Sequence, residues 1–360
     1  MRKQSNLAAR ELTQPLLPGF DAETMALIAA KPTRETAKKL GRKFELFLGA
    51  IRRQQPFDGL EQHFKDALET AARDPVALYR FFQLYNYFNG GIAPAIAPLV
   101  GNIGKSRDLF TDPETPVTAE ASYAFAIARE VQKASTDEYG DPNYRDLVTG
   151  QKLDHRRLSD GLMKAVGNYA GLSDQERNGF EVPAWLVANK KDIQKLYAGA
   201  EGNLAKLAQA LGMHFTSEYS ADAIEFSNAC KSLFIDHKNE GLHHYLCENP
   251  YISVGGNTFA AHSWLQTHGG WDAEKNEIRH GVEYVHLVTG FAAMALMVGK
   301  AGPEKKMIAQ KNFLEGIRNG QKLLDDFFIG AKAECEKILA ARDVPVPGRK
   351  TARHLSAQPA

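Results

Sequence analysis

The chain has 360 residues, with Lys+Arg 44 against Asp+Glu 43 and a formal net charge of +1. That balance leaves no electrostatic argument for nucleic acid or for an acidic partner surface. At 44% hydrophobic and 24% charged residues the composition is that of an ordinary globular protein, long enough for one large domain or two modest ones.

Met1-Arg2-Lys3 is followed by polar residues rather than an apolar run, so no secretion signal is expected. The longest apolar stretch, residues 287–298, is short for a bilayer and reads as a buried core helix, with no membrane partner expected. Cys230, Cys247 and Cys335 are scattered without a CxxC, which points to reduced thiols and a cytoplasmic location.

Helical spacing of apolar residues runs through almost the whole chain and alternating strand patterns are absent, so the expected fold class is all-α. Residues 35–53 make a basic amphipathic helix with Leu40, Phe44, Leu46, Phe47 and Ile51, its cations read as a solvated face. Residues 56–59 break the chain before a helix at 60–72. Asp74 caps the next helix with Pro75 in its first turn. That helix carries Phe81, Phe82, Tyr85 and Tyr87, which read as core packing or as the wall of an apolar pocket.

After Asn89-Gly90-Gly91 a short helix is expected at 92–100, then a loop at 110–116 and a helix at 118–135. Asp137-Glu138-Tyr139-Gly140-Asp141-Pro142 ends that helix, and residues 143–152 read as a surface loop. Asp154 opens the helix that holds His155, Leu158, Leu162 and Val166. Helices follow at 182–198, 199–212 and 220–246, the last stopped by Asn249-Pro250. Asn257 is expected to cap a short helix ending at His268-Gly269-Gly270. Two long helices, 273–299 and 303–340, then lead to a basic, proline-containing tail. The organisation expected is an N-terminal helical extension over 1–69, a helical domain over 70–340 and a disordered tail over 341–360.

Seven of the eleven histidines fall between His237 and His286, where even scatter would put about one or two. Glu240, Glu248, Asp272, Glu274, Glu277 and Glu283 share the stretch. Histidine and carboxylate together on helices are the ligands of a non-haem iron or related transition-metal site. Residues three apart share a helix face, which makes Glu240 with His243, Glu277 with His280, and Glu283 with His286 candidate ligand pairs. His237, Glu240 and His244 lie on one stripe and could form a facial triad. His280 and His286 sit roughly 120° apart on a helix, so their two pairs compete. His262 and His268 flank Trp264-Leu265 and each also suits ordinary packing. No Gly-x-Ser-x-Gly elbow, Walker loop, dinucleotide fingerprint or cysteine-rich zinc pattern competes, and Gly255-Gly256 and Gly269-Gly270 read as turns.

Three segments, in order, resemble the haem-oxygenase-like non-haem iron enzymes, an all-helical superfamily that includes diiron oxidases and oxygenases. They are Asp137-Glu138-Tyr139-Gly140-Asp141 with His155 downstream; residues 212–226, which contain Glu218; and Trp264-Leu265-Gln266-Thr267-His268 followed by Glu277-Ile278-Arg279-His280. Tyr85-Asn86-Tyr87 also suits the family's early helix. The resemblance covers about residues 70–300 and implies a haem-oxygenase-like helical bundle holding one or two iron (Fe) ions. Its implied metal ligands are Glu138, His155, Glu218, His268, Glu277 and His280. Tyr139, beside the first of them, is a candidate to tune the ligand or to be oxidised itself, with simple packing as the alternative role. The family order also places His237, Glu240, His243 and His244 away from the metal, against the triad.

The chain departs from the family where His268 is followed by Gly269-Gly270, because the family's closing element is one continuous His-x-x-x-Asp/Glu-x-x-His helix. Glu277 stands nine residues after His268. Asp272 is an alternative carboxylate, with Lys275 then in the place of the last histidine, and Glu283 or His286 could replace an assigned ligand. The gap from Glu138 to His155 is also long. The activity implied is O2 activation at reduced iron and oxidation of a small, partly apolar organic substrate. Phe81, Phe82, Tyr85, Tyr87 and Trp264 would line its cavity, and a homodimer is expected. The alternatives are a non-catalytic helical protein binding an apolar or haem-like ligand, and a metal-free oxidase of the same fold.

Overall fold

A computed structural model of the chain describes residues 17–343, apart from 32, 111–122, 140, 147–149, 151, 237–240, 249–250, 273–274, 276, 279–280 and 302. Among the described residues the fold is all-α, with three two-stranded hairpins as its only sheet. The expected tail lies outside the described residues beyond Asp343.

Local chemistry explains where the helices begin. In α1 (Ala22–Ala29) the Asp21 carboxylate accepts from the Thr24 N–H, and α2 (Arg34–Gln54) opens with a Thr33–Thr36 capping box. After α3 (Asp58–Ala72), Asp74 accepts from the N–H groups of Val76 and Ala77 to start α4 (Pro75–Asn89). Next come α5 (Ile92–Lys105) and α6 (Tyr123–Tyr139). Asp154 then caps α7 (His155–Tyr169) by accepting from the Arg157 N–H. The short α8 (Asp174–Asn178) and then α9 (Ala184–Ala198) lead to α10 (Leu204–Tyr219).

Four expectations are corrected. Residues 143–152 are not simply loop, because β1 (Asp141–Arg145) pairs with β2 (Lys152–Leu153). The helix expected at 220–246 is instead a widened continuation of α10. It has π-helical stretches at Ser220–Phe226 and Lys231–Asp236 around one α-helical turn, and α11 (Gly241–Glu248) lies beyond the four residues outside the described set. Asn257 caps no helix. It begins β4 (Asn257–Ala260), which pairs with β3 (Tyr251–Val254) because Gly255 and Gly256 both take positive φ, the backbone of a tight two-residue hairpin.

Finally, the helix expected from 273 starts only at Val282. Gly270 ends α12 (Ser263–Gly269) in the left-handed region, and Trp271–Asp272 (β5) pairs with Glu277–Ile278 (β6) before α13 (Val282–Lys300). The last element is α14 (Pro303–Asp343).

The core is continuous from the N-terminal helices to the C-terminal ones. Phe47 of α2 meets Phe215 of α10, Phe291 of α13 and Phe313 of α14 at ring separations of 5.6, 4.8 and 5.9 Å. Helices α10 and α14 cross at two glycines. A Cβ on Gly212 would stand 2.2 Å from the Phe313 carbonyl oxygen, and one on Gly316 would stand 2.1 Å from that of Gln209. Only glycine permits so close an approach, and it sets the position of the α10 turn that carries Glu218. Helix α13 is long and apolar enough to cross a membrane by composition, but its residues 291–298 are all buried within the protein.

Candidate metal centre

Five helices deliver six metal-ligating side chains to one buried region. Glu138 lies in the last turn of α6, and the β1–β2 hairpin folds the chain back so that His155, the first residue of α7, meets it. The Glu138 Oε1 to His155 Nδ1 distance is 3.2 Å. His268 comes from α12, with its Nε2 at 3.1 Å from His155 Nδ1. These three donors form one group, and Glu218, Glu283 and His286 form a second; within each group the donor atoms lie within 4.8 Å of one another.

Glu283 joins the groups. Its Oε1 is 3.5 Å from His268 Nε2, and its Oε2 is 2.9 Å from His286 Nδ1. Glu218 Oε2 lies 3.2 Å from the same His286 nitrogen. One carboxylate with an oxygen toward each group has the form of a bridging ligand between two ions.

That position depends on Gly281. A Cβ there would fall 1.8 Å from the His268 carbonyl oxygen, so only glycine lets the first turn of α13 run against the end of α12. Beyond Glu218 the π-helical turns follow at once; such widened turns are frequent at functional sites.

The protonation pattern suits metal binding. His268 Nδ1 lies 2.7 Å from the Trp264 carbonyl oxygen, and only an N–H satisfies a carbonyl, so Nδ1 carries the proton and the Nε2 lone pair faces His155 and Glu283. Burial and the neighbouring His155 bring His268 down to about 4, so it is neutral at pH 7, as a ligand must be. Burial works against ionisation of Glu138, yet the imidazoles of His155, His268 and His286 bring it down to about 2. Burial and the Glu218 charge push Glu283 up.

Among the described residues, Glu138, Glu218 and Glu283 have imidazoles, and no lysine or arginine, within ion-pairing distance. Carboxylates buried without a lysine or arginine are costly, and divalent cations between them would offset that cost. The donor set therefore fits two metal ions.

Of the expected ligands, Glu138, His155, Glu218 and His268 come together here. Glu277 does not, because it is exposed on β6 rather than carried by a helix. His280 lies outside the described residues, as do His237 and Glu240 of the stripe triad. The carboxylate and histidine that complete the centre are Glu283 and His286, the competing Glu-x-x-His pair. Asp272 sits on β5 in neither group. Tyr139 follows Glu138 but is 61% exposed, so its ring is turned to solvent.

Two further groups were not singled out by the sequence. His214, one turn before Glu218, is fully buried, with Nδ1 at 3.3 Å from Glu218 Oε1 and 3.1 Å from the Tyr197 hydroxyl. Burial and the neighbouring His286 bring it down to about 3, so it is a neutral imidazole that orients Glu218. The i,i+4 spacing of His214 and Glu218 is the signal that could have found it. Glu225, on the π-helical stretch, accepts a short hydrogen bond from the Tyr85 hydroxyl. Burial raises it to about 7, against hydrogen bonds from Ser220 and Tyr85.

A cavity of about 30 Å3 is bounded by Glu138, Glu218, Glu225 and Glu283 together with Tyr85 and Phe226. Of the expected aromatic wall, only Tyr85 reaches it. Phe81, Phe82 and Trp264 enclose a neighbouring gap of about 10 Å3, and Tyr87 lies under the Lys190 ammonium at 4.2 Å. Compared with protein-family models, with curated proteins and with solved structures, the chain matches none.

Proposed function

We propose that this chain is an iron-dependent oxidase or oxygenase with a haem-oxygenase-like bundle, which uses O2 to oxidise a small, partly apolar organic molecule. The observation that carries the reading is Glu283, whose two oxygens face two separate carboxylate–imidazole groups. Glu138, His155 and His268 would hold one ion, Glu218 and His286 the other, with Glu283 between them. Mixed nitrogen and oxygen donors in such a shared-carboxylate arrangement suit iron. Reduced iron held there would supply electrons and open coordination positions for O2 activation.

The chain's own residues would do three things. The Trp264 carbonyl and His214 orient His268 and Glu218, so that lone pairs rather than protons face the centre. Glu225 and the Tyr85 hydroxyl keep a proton on the wall of the central cavity, and near pH 7 Glu225 can hold or release it. The buried aromatic rings around Tyr85 exclude bulk water. Because a water occupies roughly 30 Å3 in the liquid, the cavity has room for O2 or water beside the ligands. Asn89 and Ile92 line the cavity on either side of Gly90-Gly91, which joins α4 to α5, and a larger substrate would need that wall to move.

The test is anaerobic reconstitution with ferrous iron, with iron counted per chain and O2 uptake followed optically. We expect about two ions in the wild type, almost none in a folded Glu283→Ala variant, and wild-type loading in Glu277→Gln. A wild type that takes up no iron, or a Glu283→Ala variant that keeps both ions, would overturn the assignment. O2 uptake that persists in chelator would favour metal-free chemistry instead.

A further inference from the structure

Helices α6 and α13 have a second side. Together with α1 and α2 they line a half-open cavity of about 890 Å3, against about 30 Å3 beside the carboxylates. Its wall is apolar, with Met25 and Ile28 from α1, Leu40 from α2, and Val288, Ala292 and Leu296 from α13. On α13 those last three point roughly 80–160° round the helix from His286, so the cavity lies on a different face from the metal ligands.

Charge around this cavity is one-sided. Among the described residues Arg129, Lys133 and Lys300 line it against a single anion, Glu130. Glu130 is buried and already neutralised, with Arg129 Nη2 at 2.7 Å and the Lys133 ammonium in close contact. The side chains of Arg129 and Lys133 are 63% and 48% exposed, which places them at the rim. The Lys300 ammonium sits 3.8 Å from the centre of the Tyr123 ring, where the last residue of α13 meets the first residue of α6. An apolar chamber of drug-sized volume with surplus positive charge selects for a molecule with an apolar body and one anionic end.

We propose that this cavity binds a single-chain anionic amphiphile, its aliphatic chain against α1 and α13 and its headgroup at Lys300. The site is separate from the metal centre and does not rest on the iron reading. It shares α6 and α13 with that centre, and on α13 Thr289 lines the cavity and donates a 2.9 Å hydrogen bond to the His286 carbonyl.

The experiment titrates the full chain with 11-(dansylamino)undecanoic acid and follows dansyl fluorescence, with displacement by tetradecanoate or by tetradecanol. Saturable binding is expected, displaced by the acid and not by the alcohol. Lys300→Gln should weaken it about three- to fivefold, the range of an exposed charge contact. Ala292→Trp, which fills the cavity, should abolish it. Ala126→Trp, from the facing wall, replaces that variant if thermal unfolding shows Ala292→Trp to be misfolded. Absence of binding, equal displacement by the alcohol, or binding that survives a folded tryptophan variant would each overturn the proposal. Glu283→Ala should keep amphiphile binding while losing iron, so the two readings fail separately.

Discussion

Glu277 and Glu283 lie six residues apart, and each begins a Glu-x-x-His sequence, yet they end in opposite surroundings. Glu277 is exposed on a two-residue strand, whereas Glu283 is buried between two carboxylate–imidazole groups. The difference lies in the backbone around them. Gly270 turns the chain out of α12 through the left-handed region, so the residues that follow pair as a hairpin instead of continuing the helix. Gly281 then lets α13 start in contact with the His268 carbonyl. Three-residue spacing aligns two ligands only once a helix exists, and only on the face that the helix buries.

The sharpest way to break this contrast is Glu283→Ala. Loss of the carboxylate shared by both groups should remove about two equivalents of iron in a metal count, while the same assay on Glu277→Gln stays at the wild-type value. His286→Ala should separate the two groups, leaving Glu138, His155 and His268 to hold about one ion; loss of both would mean that the groups load only together.

Gly281→Ala tests the close approach itself. The added methyl collides with backbone, not with a flexible side chain, so a loss of roughly 3 kcal/mol or more is expected in urea unfolding, with iron loading impaired.

A smaller effect is expected at Glu225. Its carboxyl is raised from 4.5 to about 7, so between those values the native state holds a proton that the unfolded chain has released. The stability it contributes is fully present below about pH 4.5 and falls away as pH rises to about 7, by about 3 kcal/mol in metal-free protein. Glu225→Gln stays neutral throughout. The difference between variant and wild type should therefore grow with pH across that window and then level off in denaturant titrations. A difference independent of pH would mean that Glu225 is ionised in the native state. Smallest of all, Glu277→Gln should change stability by less than about 0.5 kcal/mol, as expected for a solvated surface side chain.

Much of the architecture could be read directly. Asp74-Pro75 and Asp154 mark helix starts through contacts with their own next residues, and the structure shows both caps. The aromatic run of α4 is core, as its apolar spacing implies, with Phe81, Phe82 and Phe88 buried. What spacing along the chain does not show is where the turns fall. Gly255-Gly256 makes a hairpin in which Asn257 opens a strand, and Gly270 with the β5–β6 pair cuts off the first part of the expected long helix. The π-helical widening after Glu218 has no periodic signature, and Glu225 gains its role only because that turn lies beside Tyr85.

By itself the sequence determined an all-α chain, a histidine- and carboxylate-rich segment near its C-terminal third, and the three-residue pairing of Glu283 with His286. These follow from interactions within a few residues along one helix, and spacing encodes them. Only the tertiary structure decided which pair faces the centre, because that depends on approaches between distant segments. His268 meets His155 across 113 positions, and Gly281 passes the end of α12 with no room for a methyl group. No periodicity records such contacts; they are set by how closely two backbones can pack and by which charges must then be buried together.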